Sequence, residues 1–230
     1  MSNLTKKQKI IQEKHDPEKT YSLEEAMDII QSVKSEKFDE SIDISVKLGV
    51  DPDKSDQNVR GAVTLPNSLG KEVKIAVFAD GDDASDAQTA GAEYVGMDDL
   101  AEKFQKDEVN VDVVISTNSA MKVVGKLGQV LGPKGLMPNP KTGTVSDDVV
   151  TAIKNVKAGQ VRFRTDKNGI IHGSIGKVSF EGKKIKANAS ALLEELRKLK
   201  PASAKGVYIG NIALSSTMGP GVKINPGELV

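Results

Sequence analysis

Residues 40–50 read ESIDISVKLGV, in which apolar and polar side chains alternate strictly from residue 42 to residue 48. The apolar members are Ile42, Ile44, Val46 and Leu48. Successive side chains of a strand point to opposite faces, so this pattern predicts a strand with one buried face and one face open to water. Such a strand is typical of an antiparallel sheet, because parallel sheets are covered on both faces.

Two later runs have a different character. KIAVFA (74–79) and VDVVIS (111–116) are nearly continuous apolar runs, as expected of strands buried on both faces. Residues 82–92 and 97–105 read as helices, the second capped by an aspartate, and Ser146 can cap a third. The third helix places on one face Val149, Val150, Ile153 and Val156. Alternating strands and helices predict a parallel, three-layer α/β unit.

The two ends of the chain again show the one-sided pattern. Near the start, Ser22 and Glu25 fit a capping box for a helix over residues 22–34. After residue 158, Val161 and Phe163 alternate with arginines, and Asn168-Gly169 predicts a two-residue type I′ turn.

A helix starting near Asn188 and a closing strand from Val207 to Leu214 complete this part. The helix presents an apolar face made of Leu192, Leu193, Leu196 and Leu199 before Pro201 ends it.

These patterns predict one domain inserted into another. Residues 1–67 and 159–230 form a discontinuous α+β domain with an antiparallel sheet, and residues 68–158 form an inserted three-layer, Rossmann-like α/β domain. TLPNSLGK (64–71) and NVKAGQ (155–160) are the paired linkers. Two short crossings that carry Pro or Gly suit a hinge.

Composition excludes several classes of function. The chain has no cysteine and two histidines, so it has no disulfide, no thiol nucleophile and no thiolate or histidine zinc cluster. No Walker spacing and no G-x-G-x-x-G after a strand occurs. The polar N-terminus and the lack of a long apolar run predict a cytoplasmic protein. We expect no enzyme, no cofactor, no metal and no membrane partner.

Charge is neutral overall but unevenly distributed. Residues 159–230 hold 12 Lys/Arg against 5 Asp/Glu, whereas residues 1–67 hold 10 against 13 and residues 68–158 hold 10 against 14. A basic final third is compatible with a nucleic-acid partner, although zero net charge argues weakly against one.

Residues 121–146 contain five glycines, three prolines and no acid. Their lysines are Lys122, Lys126, Lys134 and Lys141. The segment reads mostly as a loop, and two interpretations stay open. It is either a solvated loop or a backbone that brings glycine amides and lysines close to phosphates. The phosphates would belong to RNA or, as the alternative function, to a metabolite bound by an α/β protein.

SSTMGPGVKIN (215–225) places glycines on both sides of a proline, directly after a methionine. Without other information, a strand-end turn with Met218 in the core is the commoner outcome. The alternative is a rigid turn whose glycines let the main chain approach ribose and phosphate without a Cβ in the way. Thr217 would then hydrogen-bond and Met218 would pack against sugar or base.

Three motifs together resemble the bacterial large-subunit ribosomal protein L-one family, the stalk proteins. They are FDESIDISVKLGVDPDKSDQNVRG (38–61), VGKLGQVLGPKGLMPNPKTGT (124–144) and SSTMGPGVKINP (215–226). The resemblance implies a two-domain RNA-binding protein, monomeric when free, that binds large-subunit ribosomal RNA at the mobile stalk. It also implies help in the release of deacylated transfer RNA from the exit site, and repression of the messenger RNA of its own operon.

The resemblance also implies the contact residues. Thr217, Met218 and Gly219 form the central RNA motif. The other matching positions are Lys37, Phe38, Ser41, Asp166, Lys167, His172 and Asn211. The four lysines of residues 121–146 are candidate secondary RNA contacts. Phe38 has the parity of Ile42, so its spacing predicts core packing, whereas the resemblance implies a partly exposed ring.

Overall fold

A computed structural model of the chain describes residues 6–34, 38–70, 72–106 and 108–229. By their contacts the residues divide into two compact units. The first, which we call the split unit, comprises Met1–Leu69 and Val161–Val230, and the second, the inserted unit, comprises Gly70–Gln160. The predicted combination of antiparallel and parallel sheets with helices is confirmed.

The strands, in chain order, are β1 (Ser41–Leu48), β2 (Arg60–Thr64), β3 (Ile75–Phe78), β4 (Tyr94–Gly96), β5 (Val113–Ser116), β6 (Gln160–Arg164), β7 (Ile170–Lys177), β8 (Ile209–Ser216) and β9 (Gly221–Ile224). The α-helices are α1 (Lys6–Lys14), α2 (Leu23–Ser32), α3 (Asp82–Thr89), α4 (Asp98–Gln105), α5 (Met121–Lys126), α6 (Gly128–Leu131), α7 (Val149–Lys157) and α8 (Gly182–Lys198). Short 3₁₀ segments cover Ser55–Gln57, Pro140–Thr142 and Pro226–Glu228.

The split unit contains a four-stranded antiparallel sheet in the order β7-β1-β8-β9, and a two-stranded sheet of β2 and β6. All four apolar side chains of β1 are at most 1% exposed, which confirms the alternation predicted from the sequence. They pack in one core with residues of α2 and α8. The helices therefore cover one face of the sheet, while the residues between these apolar positions lie on the other face.

Helix α2 begins as predicted. Ser22 Oγ accepts a hydrogen bond from the Glu25 N–H at 3.2 Å, and Glu25 Oε2 accepts from the Ser22 N–H at 3.0 Å. This reciprocal pair satisfies two N–H groups that the first turn cannot bond within the helix. The hydrogen bond from Ser22 also holds the pKa of Glu25 below its ordinary value.

Helix α8 begins at Gly182, so the predicted start near Asn188 is wrong. Asn188 lies inside the helix and is fully buried. Its amide nitrogen donates to the Ile175 carbonyl at 2.7 Å and to the Asn67 carbonyl at 3.0 Å, and its Oδ1 accepts from the Asn67 N–H at 3.0 Å. A polar residue that resembles a helix cap in the sequence instead connects the helix to β7 and to residue 67.

The inserted unit contains a parallel sheet in the order β4-β3-β5. Every residue of β3 and β5 is buried, as the continuous apolar runs predicted. The helices on the two sides of the sheet form separate clusters with its two faces, one containing α4 and α5 and the other containing α3 and α7.

Both predicted caps in the inserted unit are wrong. The N-cap position of helix α4 is occupied by Met97, not by an aspartate, and no side chain caps the helix from that position. The Met97 N–H donates to Asp99 Oδ1 at 3.0 Å, and this bond holds the pKa of Asp99 below its ordinary value. Helix α7 is capped by Asp148, which accepts from the Thr151 N–H at 3.0 Å, and hydrogen bonds from Thr151 lower the pKa of Asp148. Ser146 Oγ accepts from the Asp148 N–H instead.

Two loop predictions also change. Residues 121–146 contain α5, α6 and a 3₁₀ turn, so less of the segment is loop than its glycines and prolines indicated.

Before β7, the Gly169 N–H donates to the Asp166 carbonyl and the Asp166 N–H donates to the Ile170 carbonyl. Gly169 has a φ of 70°. The connection is therefore a three-residue loop closed by a left-handed glycine, and the two-residue type I′ turn is wrong.

Among the described residues, none of the helices has both the length and the apolar character that crossing a bilayer requires.

We propose that the split unit is a domain that folds without the inserted one. Its core cluster draws every member from residues before 70 or after 160. A shortened chain that joins residue 69 to residue 161 through a Gly-Ser linker should unfold cooperatively, as followed by circular dichroism. The same measurement on a fragment of residues 70–160 tests whether the inserted unit also folds by itself. Loss of cooperative unfolding in the shortened chain would show that the inserted unit is required for folding.

Candidate nucleic-acid interface

The face of the four-stranded sheet opposite the core is lined mostly by polar side chains. Residues directly opposite each other on paired strands share a face. Ser45 of β1 pairs with His172 of β7 and with Ala213 of β8, and Asp43 pairs with Ser174 and Ser215. We call this surface the open face; its members are Ser41, Asp43, Ser45, Lys47, Ile170, His172, Ser174, Lys177, Asn211, Ala213, Ser215, Gly221 and Lys223.

The residues Thr217–Pro220 connect β8 to β9 at one end of this sheet, and we call them the corner. Thr217 exchanges two hydrogen bonds with Ser41 at the start of β1. Its Oγ1 accepts from the Ser41 N–H at 3.1 Å, and its own N–H donates to the Ser41 carbonyl at 3.1 Å. The Met218 N–H donates to Glu40 Oε2 at 3.2 Å. Three hydrogen bonds thus fix the corner to the first residue of β1 and to the residue before it, although the two segments are more than 170 residues apart in the sequence.

Two large apolar side chains are exposed near this end of the sheet. The Met218 side chain is 60% exposed and the Phe38 side chain is 50% exposed. Core packing, which the sequence alone favoured for both residues, is therefore wrong. Strand β1 begins at Ser41, so the alternation that buries Ile42 does not extend back to Phe38. The corner holds Met218 outside the core by its backbone.

Gly219 packs closely against Ser216, which lies beneath the corner. A Cβ added to Gly219 would lie 2.4 Å from Ser216 Oγ, whereas a Cβ added to Gly221 would meet open space. The crowded side of Gly219 therefore faces Ser216, and the approach of its main chain to ribose and phosphate stays a prediction. Ser216 is 4% exposed, and its hydroxyl has no hydrogen-bond partner among the described residues.

Asp166 shapes the opposite end of the open face. Its Oδ1 accepts hydrogen bonds from the N–H groups of Ile170 and Asn168, both at 2.8 Å. The bond from Ile170, then that from Asn168 and the nearby His172, hold the pKa of Asp166 below its ordinary value. His172 Nε2 lies 3.5 Å from Asp166 Oδ2, and His172 Nδ1 lies 3.2 Å from Ser45 Oγ. Asp166 therefore orders the loop and the histidine that faces it.

The structure places the predicted contact residues along one strip. Phe38, Ser41, Thr217, Met218 and Gly219 belong to the end with the corner, and Asp166 and the exposed Lys167 belong to the other end. His172 and Asn211 lie on the open face between them. The six residue steps from Ser41 to Lys47 span about 20 Å at the usual rise of a strand. Lys37 lies outside the described residues.

The four candidate lysines of the inserted unit are all exposed. Lys122 and Lys126 lie on α5, Lys134 follows α6, and Lys141 lies in a 3₁₀ turn. Several glycine amides of this segment are bonded internally: the Gly132 N–H donates to the Gly128 carbonyl and the Gly135 N–H to the Gly132 carbonyl. The predicted display of glycine amides toward a phosphate is therefore wrong at these two positions, and the metabolite alternative gains no support.

Sequence reasoning missed several members of the open face and one residue behind the corner. The polar residues of β1, Asp43, Ser45 and Lys47, could have been found from the alternation itself. The members contributed by other strands needed the register, which no short motif shows. Glu40, whose side chain is only 1% exposed, gave no signal, because a buried acid cannot be distinguished from a surface acid in a sequence.

The open face with the corner is rich in hydroxyl groups. Five hydroxyls contribute to it, those of Ser41, Ser45, Ser174, Ser215 and Thr217. Each hydroxyl can donate one hydrogen bond and accept others, so the surface can bond with both ribose hydroxyls and phosphate oxygens. In the part of the chain that the structure describes, no group of three or more His, Asp or Glu side chains could hold a metal ion.

Comparison with known proteins identifies a family. Residues 30–220 match the model of the "Ribosomal protein L1p/L10e family". The chain is similar over its whole length to proteins named "Large ribosomal subunit protein uL1". It is 57% identical to that of Saccharophagus degradans, 57% to that of Methylococcus capsulatus and 58% to that of Pseudomonas aeruginosa. In each case the match covers 100% of this chain and 99% of the relative.

The contact between Gly219 and Ser216 generates a stability prediction. Gly219→Ala should lower the free energy of unfolding by about 1–3 kcal/mol, because the new methyl group overlaps the Ser216 hydroxyl. Ser216→Ala should change stability by no more than about 0.5 kcal/mol, because the hydroxyl that it removes makes no hydrogen bond within the described residues. When Ser216→Ala is already present, adding Gly219→Ala should lower the free energy of unfolding by less than it does in the unsubstituted chain. Urea unfolding measures all three.

Gly221→Ala is the matched control, since its methyl group enters open space. Equal losses in Gly219→Ala and Gly221→Ala, or strictly additive losses in the double variant, would contradict the contact.

Proposed function

The chain belongs to the ribosomal protein L1p/L10e family, and from this premise we propose that it is a protein of the large ribosomal subunit that binds large-subunit ribosomal RNA through the corner and the open face. The relatives are named as ribosomal proteins, which supports a binding role rather than an enzymatic one. The observation that carries the placement of the site is the exposed Met218 on a corner fixed by hydrogen bonds.

A fixed corner suits the way proteins recognise folded RNA. The major groove of an A-form helix is too narrow for side chains, so RNA is recognised by its shape, its 2′-hydroxyls, its phosphates and its unstacked bases. The exposed Met218 and Phe38 side chains offer apolar surface for a ribose or a base, and Thr217 offers a hydroxyl beside them. Because the backbone is ordered before binding, little conformational entropy is lost when RNA binds.

The open face extends the interface away from the corner. Its hydroxyls form hydrogen bonds whose strength does not depend on net charge, whereas Lys47, Lys223 and the nearby Lys167 interact with phosphates. A contact surface of this kind needs only a few cations. Formal neutrality of the whole chain therefore weakens long-range attraction of RNA without weakening the contacts themselves.

The finer parts of the proposal rest on the resemblance found in the sequence. They are a place at the mobile stalk of a cytoplasmic ribosome, contact with transfer RNA leaving the exit site, and repression of the messenger RNA of the chain's own operon. Lys122, Lys126, Lys134 and Lys141 are proposed as secondary RNA contacts in the inserted unit, since all four are exposed. The free protein is proposed to be a monomer.

Truncation of the corner should weaken RNA binding without unfolding the protein. Thr217→Ala and Met218→Ala should each cost about 1–3 kcal/mol of binding free energy, through loss of a hydrogen bond or of packing against RNA. Filter binding to an in vitro transcript of the stalk region of the source organism's large-subunit ribosomal RNA measures the cost. Val207→Ala is the matched control, because Val207 is 79% exposed and precedes the opposite end of β8.

Unchanged affinity in both corner variants, with the transcript bound by the unsubstituted protein, would refute the placement of the site. If the unsubstituted protein bound the stalk transcript no better than an unrelated duplex of equal length, the proposed function itself would be wrong.

Salt dependence provides a second, independent measurement. Each phosphate contact should steepen the fall of log affinity with log salt by about 0.7 to 0.9. We expect a shallow slope, on the order of two to four such contacts, because the proposed interface relies on hydroxyls more than on lysines. Lys223→Ala should reduce the slope by about one contact, whereas Ser215→Ala should lower affinity and leave the slope unchanged. A slope that corresponds to about ten phosphate contacts, or affinity that does not change with salt, would contradict this description.

A further inference from the structure

A buried acid lies directly behind the corner. Glu40 is 1% exposed, whereas its neighbour Asp39 is exposed. An acidic side chain is rarely this buried unless hydrogen bonds compensate for the lost water. One of these bonds comes from the Met218 N–H, which donates to Glu40 Oε2 at 3.2 Å. The backbone carbonyl of Glu40 also accepts from the Val178 N–H at 2.9 Å, which fixes the residue against the segment after β7.

Glu40, which directly precedes β1, contacts the exposed Met218 of the corner. Strand β8 ends at Ser216, so the Met218 N–H lies beyond the ladder of β8 and β9. Thr217 is held by Ser41 and the Gly219 N–H donates to the Ser216 carbonyl, but neither bond fixes the peptide group of Met218 itself. The hydrogen bond to Glu40 determines the direction of that peptide group, and hence the direction in which the Met218 side chain leaves the backbone.

We propose that Glu40 is a positioning residue for RNA recognition: from a buried place it orients Met218 and does not touch the RNA. This inference rests on the proposed function. It deepens that proposal by distinguishing Glu40, which sets the geometry of the corner, from Thr217 and Met218, which contact the RNA. It also assigns to Glu40 the role of a hydrogen-bond acceptor, so the oxygen at that position matters rather than the negative charge.

Three substitutions at position 40 test this assignment. Glu40→Ala removes the acceptor and should weaken binding of the stalk transcript about tenfold, the factor that corresponds to loss of one buried hydrogen bond. Glu40→Asp keeps the acid but withdraws its oxygens by about 1.5 Å, one carbon–carbon bond, and should weaken binding by a similar factor. Glu40→Gln keeps an acceptor oxygen at full length and should retain affinity within about threefold.

Asp39→Ala is the matched control. Asp39 is also acidic and precedes β1, but its carboxylate accepts from the Ser179 N–H at 3.2 Å and from the Ser179 hydroxyl at 2.7 Å rather than from a residue of the corner. Its substitution should leave RNA affinity unchanged. Thermal unfolding of every variant, together with titration of its active fraction, ensures that affinity is measured on folded protein. If Glu40→Ala does not fold, the comparison of Glu40→Asp with Glu40→Gln decides the question.

A double-variant cycle separates positioning from a general effect on the fold. If Glu40 acts through Met218, Glu40→Asp should weaken binding much less in a Met218→Ala background than in the unsubstituted chain. Equal effects in the two backgrounds would overturn the inference, and so would a loss in Glu40→Gln as large as that in Glu40→Asp. If Met218→Ala weakens binding but Glu40→Asp binds the transcript normally, the positioning role of Glu40 is refuted while the proposed function stands. Failure of the unsubstituted protein to prefer the transcript would instead refute the proposed function.

Discussion

The pairing of β1 with β7 on one side and with β8 on the other is the constraint on which the split unit depends. It joins β1 to two strands that lie more than 120 residues further along the chain, and it determines which side chains enter the core. A shift of one residue in this register would turn Ile42, Ile44, Val46 and Leu48 toward water and the polar residues between them toward the helices. The same register places Ser41 beside Thr217. The core and the proposed interface are therefore two consequences of one set of strand pairs.

The sequence predicted those parts of the fold that depend on a local period or a local hydrogen bond. The alternation of β1, the fully apolar β3 and β5, and the capping box of Ser22 and Glu25 are all confirmed, because each follows from residues within one segment. Predictions failed where a polar side chain finds a partner far along the chain. Asn188 resembles a helix cap, yet its amide bonds with residues 67 and 175. Met218 looks like a core residue, yet its backbone is held outward by Glu40.

The proposed interface shows how a neutral chain can present a surface suited to RNA. Positive charge attracts RNA from a distance, but short-range recognition uses hydrogen bonds and shape. Serine and threonine side chains on alternate positions of neighbouring strands provide closely spaced groups that both donate and accept. Such a surface is compatible with the acidic residues elsewhere in the chain, because hydrogen bonds between neutral groups are affected little by distant charge. The basic final third adds cations such as Lys223 at the margin of this surface.

The corner also explains how the large apolar side chain of Met218 stays in water without collapsing into the core. Burying Met218 would release apolar surface from water and would be favourable by itself. The space behind the corner is already occupied, since Glu40 and Ser216 lie there and a methyl group on Gly219 would overlap the Ser216 hydroxyl. Inward movement of Met218 would break its bond to Glu40 and leave a buried acid with one hydrogen bond fewer, at a cost comparable to the gain. Exposure of Met218 is thus a property of the folded state itself, present before any RNA is bound.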